Sequence, residues 1–136
     1  MTTYSNGPAV SNPVRGRAIV AAALQYVGVP YVWGGKTPAG WDCSGMIQWL
    51  YLTVAGEQIP RISQAQWYYG TPLRLDEIEA GDIVFFADTD GPGITHNGIA
   101  LGDGRFIHAR DESRGTVISW LSEPIWVEHY AGARRP

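Results

Sequence analysis

Apolar positions recur at helical spacing in the first half of the chain and fall into short β-type runs after residue 81. Ile19, Ala22, Ala23, Tyr26 and Val27 share one face of a helix predicted over residues 14–27, and Gly28-Val29-Pro30 supplies its stop signal. Met46, Ile47, Leu50 and Val54 form the stripe of a second helix over residues 43–54, broadened by Trp49 and Leu52. Asp42 is the N-cap expected for that helix, which puts Cys43 in its first turn. Between the helices, residues 31–40 collect glycines and Pro38 around aromatic residues, the composition of a tight loop. Ser63 with Gln66 three residues on has the form of a capping box and predicts a short helix over residues 64–69. Beyond Gly81, β-branched and aromatic runs broken by Gly and Asp predict antiparallel strands over residues 82–87, 96–101, 105–110 and 116–120. Helices first and strands afterwards imply an α+β domain, its helices packed on one face of a small antiparallel sheet. Residues 1–13 lack periodicity and read as a flexible arm, leaving residues 14–136 as the domain.

Composition narrows the function. A chain of 136 residues has room for one core. A net charge of -3 gives no cationic field for nucleic acid or an anionic membrane, and no apolar run is long enough to span one. The N-terminus lacks the pattern of a signal peptide, so the chain reads as not exported by the general route unless cut from a longer precursor. One cysteine excludes an intramolecular disulfide and the paired-cysteine spacing of structural zinc sites; no cofactor is implied.

That cysteine is either a small buried hydrophobe or a reactive group. At a helix N-terminus the unsatisfied N–H groups and the dipole favour a thiolate, so Cys43 is expected to have a lowered pKa. His96 and His108 can join it if the turn between their strands has the right length. A two-residue loop at Asp103-Gly104 makes paired residue numbers sum to 207 and sends the two histidines to opposite faces. A three-residue loop, Gly102-Asp103-Gly104, makes the sum 206, pairs His108 with Gly98 and puts His96 diagonally beside it on the same face. Gly104 suits the left-handed end of the longer loop, which is therefore expected. One imidazole then takes the thiol proton and a second group orients it. A rival reading has Cys43, His96 and His108 ligate zinc in a non-catalytic module, although three scattered ligands make a poor structural site. His129 reads as a surface residue.

Six blocks carry a resemblance: Pro30-Tyr31-Val32-Trp33-Gly34-Gly35, Asp42-Cys43-Ser44-Gly45, Pro60-Arg61-x-Ser63, Gly81-Asp82-Ile83-Val84-Phe85-Phe86, His96-x-Gly98-Ile99-x-Leu101-Gly102 and Ile107-His108-Ala109. In this order they resemble the NlpC/P60 cysteine peptidases, papain-like α+β enzymes that cut bacterial cell-wall stem peptides, most often between D-glutamate and a diamino acid. The resemblance implies a peptidoglycan endopeptidase with Cys43 as nucleophile, His96 as general base and His108 as the residue orienting it. It also implies that Tyr31, Asp42 and Ser44 bind the free amino end of the stem peptide. Their plain alternatives are core packing for Tyr31, a helix cap for Asp42 and a first-turn residue for Ser44. Trp33, Trp41 and Trp67 are candidate groove residues, and Trp49 a core one. Ala80 replaces a proline usual in the family, and Asn97 replaces an apolar residue, which by parity faces away from His96 and implies a polar back side to that strand. Stem peptides are the expected partner. Delivery to the cell wall by a phage apparatus, by a secretion system or within a larger exported parent is left open, as is an amidase or acyl transferase, or an assembly module, on the same fold.

Overall fold

The computed structural model describes residues 10–136, so most of the expected N-terminal arm lies outside the described residues. Helix α1 (Pro13–Leu24) starts with proline in its first turn, where no N–H is missed, behind the Asn12 cap. The chain then turns through Gly28, whose φ of 95° is left-handed and whose N–H reaches the Thr116 carbonyl at 2.8 Å. Residues 31–41 form a tight hairpin, β1 (Lys36–Thr37) with β2 (Gly40–Trp41). Helix α2 (Cys43–Ala55) begins at the expected cap, Asp42 accepting from the Gly45 N–H at 2.7 Å, and ends on left-handed Gly56.

Helix α3 (Ser63–Gln66) is shorter than expected and lacks the capping box. Its N-cap is Ile62; Ser63 Oγ instead donates to the Ile94 carbonyl at 3.5 Å, and Gln66 turns inward. Tertiary partners have outcompeted the local pair. Strands β3 (Thr71–Leu73), β4 (Ile83–Ala87), β5 (Ile94–Ala100), β6 (Arg105–Asp111), β7 (Gly115–Trp120) and β8 (Tyr130–Arg135) make one antiparallel sheet in the order β3-β8-β4-β5-β6-β7. The last strand thus inserts beside β4, and Arg135 clamps it there by a buried two-point ion pair with Asp82, at 2.9 and 2.8 Å.

The sheet is covered on both faces. Ile83, Phe85, Ile99, Ile107 and Ala109 meet α1 and α2 through Ile19, Ala23, Met46, Ile47 and Leu50. Val84, Phe86, Ala100, Phe106 and Ala133 face the other way, toward Trp126 of a fourth helix, α4 (Pro124–His129). The expected N-terminal helices do pack on one face, and α4, not foreseen from the sequence, adds a layer on the other. His129, expected at the surface, is anchored to the sheet by a 2.8 Å contact of its Nδ1 with the Ala87 carbonyl.

Candidate active site

The β5–β6 hairpin sets the site. Ile99 pairs with Ile107 and Ala100 with Phe106, and the Leu101 N–H reaches the Arg105 carbonyl at 2.9 Å. Those residue numbers sum to 206, the three-residue loop, with Gly104 left-handed at φ 92°. His96 and His108 consequently share a face, and His96 Nε2 lies 2.7 Å from His108 Nδ1. Gly98 makes the room: a Cβ there would lie 3.0 Å from the His108 Cβ and 2.8 Å from the Ile107 carbonyl oxygen. The chain of contacts continues from His108 Nε2 to Ser119 Oγ at 2.8 Å. One consistent proton arrangement has His96 Nε2–H donate to His108 Nδ1 and His108 Nε2–H donate to Ser119 Oγ. It leaves the His96 Nδ1 lone pair free.

Both rings lie on the α4 side of the sheet. His96 stacks on Trp126, with centroids 5.5 Å apart and planes at 21°, and His108 meets the same indole edge-on at 5.0 Å. Cys43 comes from the opposite layer, at the N-terminus of α2. Its Sγ lies 4.0 Å from the Thr95 carbonyl, the residue before His96. The register slips there, Phe86 pairing with His96 but Ala87 with Ile94, so Thr95 is the extra residue of a β-bulge. The bulge brings the edge of β5 to the thiol.

Electrostatics correct one expectation. Burial pushes the Cys43 thiol up to about 11, with the Asp42 carboxylate acting the same way; the N–H groups of Asn97, Ser44 and Cys43 itself pull down and do not compensate. Burial also pushes His96 down to about 4, aided by the Arg110 cation, and holds His108 well below its ordinary value. The helix N-terminus is present, but loss of water outweighs it. All three shifts favour the uncharged forms, a thiol and neutral imidazoles.

The residues expected to hold an amino end divide. Tyr31 lines the cleft, a cavity of about 470 Å³ that also takes in Trp33, Thr95, His96, Arg110 and Trp126. Burial and the charges of Cys43, Asp42, Asp90 and Glu112 raise the Tyr31 phenol to about 12, so it stays a neutral donor. Asp42 and Ser44 are not among the residues that line it. Both Asp42 oxygens are occupied: Oδ1 by Gly45 N–H, Ser44 Oγ and Arg61, Oδ2 by Gly34 N–H and Arg61. Arg61 also reaches Ser44 Oγ and the Gly35 carbonyl, each at 3.0 Å. Asp42 thus caps α2, and Ser44 lies in its first turn.

The tryptophans sort differently from expectation. Trp33 is exposed in the cleft, whereas Trp41 is buried with its Nε1–H on Thr116 Oγ1 at 2.8 Å, and Trp67 packs on Phe85. Trp49 is a core residue as expected, packing on Tyr26 and Trp41. Trp126, not singled out in the sequence, is the indole that carries the site.

Sequence reasoning also assigned no role to Arg61 and Ser119, and gave Gln66 only a helix cap. Gln66 is fully buried and donates to the Ser44 and Pro60 carbonyls at 3.1 and 2.8 Å. It accepts from Asn97 at 2.7 Å, the polar back side expected from Asn97, and so ties the start of α2 to β5. Arg61 lies in a motif block, which was its only signal; Ser119 depends on the β6–β7 register. Among the described residues no cluster of three His, Cys, Asp or Glu is placed to hold a metal ion. A larger apolar groove of about 560 Å³, under Trp120, Leu121 and Tyr130, holds neither Cys43 nor either site histidine.

This arrangement matches known proteins. The NlpC/P60 family profile matches residues 28–135. The chain is 43% identical over 118 residues to a gamma-DL-glutamyl hydrolase of Bacillus subtilis (strain 168), a match covering 86% of the chain and 28% of that protein. It is 38% identical over 116 residues to the murein DD-endopeptidase MepH of Escherichia coli (strain K12), covering 82% of the chain and 42% of the relative. The chain thus spans less than half of either relative. A solved NlpC/P60 family protein from Bacillus cereus ATCC 10987 superposes with a TM-score of 0.83 at 32% identity, covering 94% of this chain and 41% of that one. From the ordered motifs to the histidine pair on a papain-like sheet, the chain belongs to the NlpC/P60 family.

Proposed function

We propose that the protein is a cysteine endopeptidase of bacterial peptidoglycan that hydrolyses the D-glutamyl–diamino acid bond of stem peptides through an acyl-enzyme on Cys43. The observation that carries it is the His96–His108–Ser119 chain, which leaves a basic ring nitrogen free on the strand that the lone thiol touches. Support for the bond comes from the relatives' gamma-glutamyl specificity by name; the DD-endopeptidase relative marks the competing bond.

The steps follow from the resting protonation. Sγ swings from the Thr95 carbonyl toward His96, and its proton passes to His96 Nδ1 as sulfur attacks the glutamyl carbonyl. The imidazolium is stabilised through Nε2–H to His108 Nδ1, and Ser119 holds the His108 ring. N–H groups at the start of α2 face the negative charge that develops on the carbonyl oxygen. His96 then returns the proton to the leaving amine, and water, activated by the same ring, releases the acyl group. Tyr31 serves the amino end of the substrate from the cleft wall, with Asp42 and Ser44 acting behind it through charge and shape.

Digestion of purified muropeptides, followed by mass spectrometry, tests the reading. Fragments split after D-glutamate with the native chain, absent with Cys43→Ala, are expected. Scission at a D-alanyl bond would move the substrate to the other named specificity, and no scission with native protein would overturn the reading.

A further inference from the structure

The cleft holds a cation that the mechanism does not use. Arg110 follows His108 by two residues on β6, at a second register slip: Ala109 pairs with Thr116 and Asp111 with Gly115, leaving Arg110 as the unmatched residue of a bulge. Bulges re-aim side chains and gather beside active sites. Here the half-buried guanidinium is turned over the Trp126 ring, with Cζ 5.1 Å from its centroid, on the indole that stacks against His96. Continuing the β5–β6 register would set Arg110 across from His96.

Every other charge in this wall is spoken for or lies elsewhere. Asp111 is paired with Arg114 at 2.6 Å and takes the Ser113 hydroxyl at 2.8 Å. Asp90 and Glu112 act on Tyr31, at the amino-end side of the cleft. Arg110 has no ion-pair partner among the described residues. The cleft carries both signs: Asp90 and Glu112 act on Tyr31, while His96 feels the Arg110 cation more than the Asp111 carboxylate, which Arg114 already pairs. A guanidinium set over an indole, with no ion pair of its own among the described residues, suits a planar two-oxygen acceptor.

We infer that Arg110 is a specificity-determining residue that binds a substrate carboxylate flanking the scissile bond. The inference rests on the proposed function and deepens it. A gamma-linked glutamyl residue keeps a free α-carboxylate, three carbons from the carbonyl that Cys43 attacks; a diamino acid with a second carboxyl group offers another on the leaving side. Either would pair with Arg110. The pairing also has a chemical benefit, because Arg110 disfavours the His96 imidazolium and a carboxylate beside it relieves that repulsion.

Four synthetic stem peptides separate the sources: L-Ala-γ-D-glutamyl or L-Ala-D-isoglutaminyl on the acyl side, each joined to L-lysine or to meso-diaminopimelate. The native protein is expected to prefer the peptide with the free glutamyl carboxylate by about tenfold to a hundredfold in kcat/KM. In Arg110→Gln that ratio should fall toward one, mainly through KM, while Arg110→Lys keeps part of it. Using a ratio cancels the change in His96 basicity, which acts on all four peptides. A collapse confined to the diaminopimelate-over-lysine ratio would place the carboxylate on the leaving side. Unchanged ratios in a folded Arg110→Gln that still cleaves would overturn the inference and leave the proposed function standing. Failure of the native protein on all four would overturn both.

Discussion

Two polar clusters, one half-buried and one buried, adjoin Cys43, and they are built on opposite principles. Behind the thiol, Asp42 and Arg61 form a charged pair at 2.9 Å with every carboxylate oxygen engaged. In front, His96, His108 and Ser119 form a chain that burial keeps neutral. The charged cluster ties the Gly34–Gly35 loop, the start of α2 and Arg61 together. The neutral chain keeps one lone pair unspent at His96 Nδ1. Charge here serves the scaffold, and in the proposed reaction the unspent lone pair serves as the base.

The neutral side should break most completely. His96→Ala removes the base and is expected to lower kcat by about 10²- to 10⁴-fold while leaving the fold intact, as read by kinetics on a stem peptide beside a denaturation curve. An equal loss from unfolding would mean that the ring is structural. On the charged side, Arg61→Ala leaves the half-buried Asp42 carboxylate without its cation and should cost about 2 kcal/mol in chemical denaturation. A cost below about 1 kcal/mol would show the cluster to be ornamental.

A third effect separates the two by pH. The unfolded chain takes up a proton on each histidine near pH 6.5, whereas folded His96 refuses it down to about 4. Stability from the neutral chain is therefore present above pH 6.5 and lost as pH falls toward 4, by about a few kcal/mol. Melting temperature followed through that window should drop in the native protein and drop less in His108→Phe. The smallest change is Ser119→Ala, which removes only the far end of the chain. Turnover should fall by about tenfold, carried by kcat and not KM; a pure KM effect would put Ser119 in substrate binding instead.

What the sequence made legible was whatever depends on short-range pattern. The stripe of α2, the Asp42 cap and the hairpin parity that joins His96 to His108 all follow from spacing within about a dozen residues. Elements fixed by distant partners were hidden. Strand β8 has the unpatterned sequence of residues 130–135 and is held by Arg135 on Asp82, 53 positions away. Gln66 looked like half of a capping box because its true partners, the carbonyls of Ser44 and Pro60, are set by the packing of α3 on α2. The thiol was misjudged for a related reason. A helix N-terminus can be read from sequence, but the burial that outweighs it comes from β5 and its bulge at Thr95.

The central claim is that the proton rests on sulfur until attack. Because Cys43 is the only cysteine, the ultraviolet absorbance of thiolate, taken as native minus Cys43→Ala across a pH titration, reports its ionisation without a reagent having to reach it. The account predicts a single step near pH 11 and no thiolate at neutrality. A step below pH 7 would contradict it, placing a thiolate–imidazolium pair in the resting site.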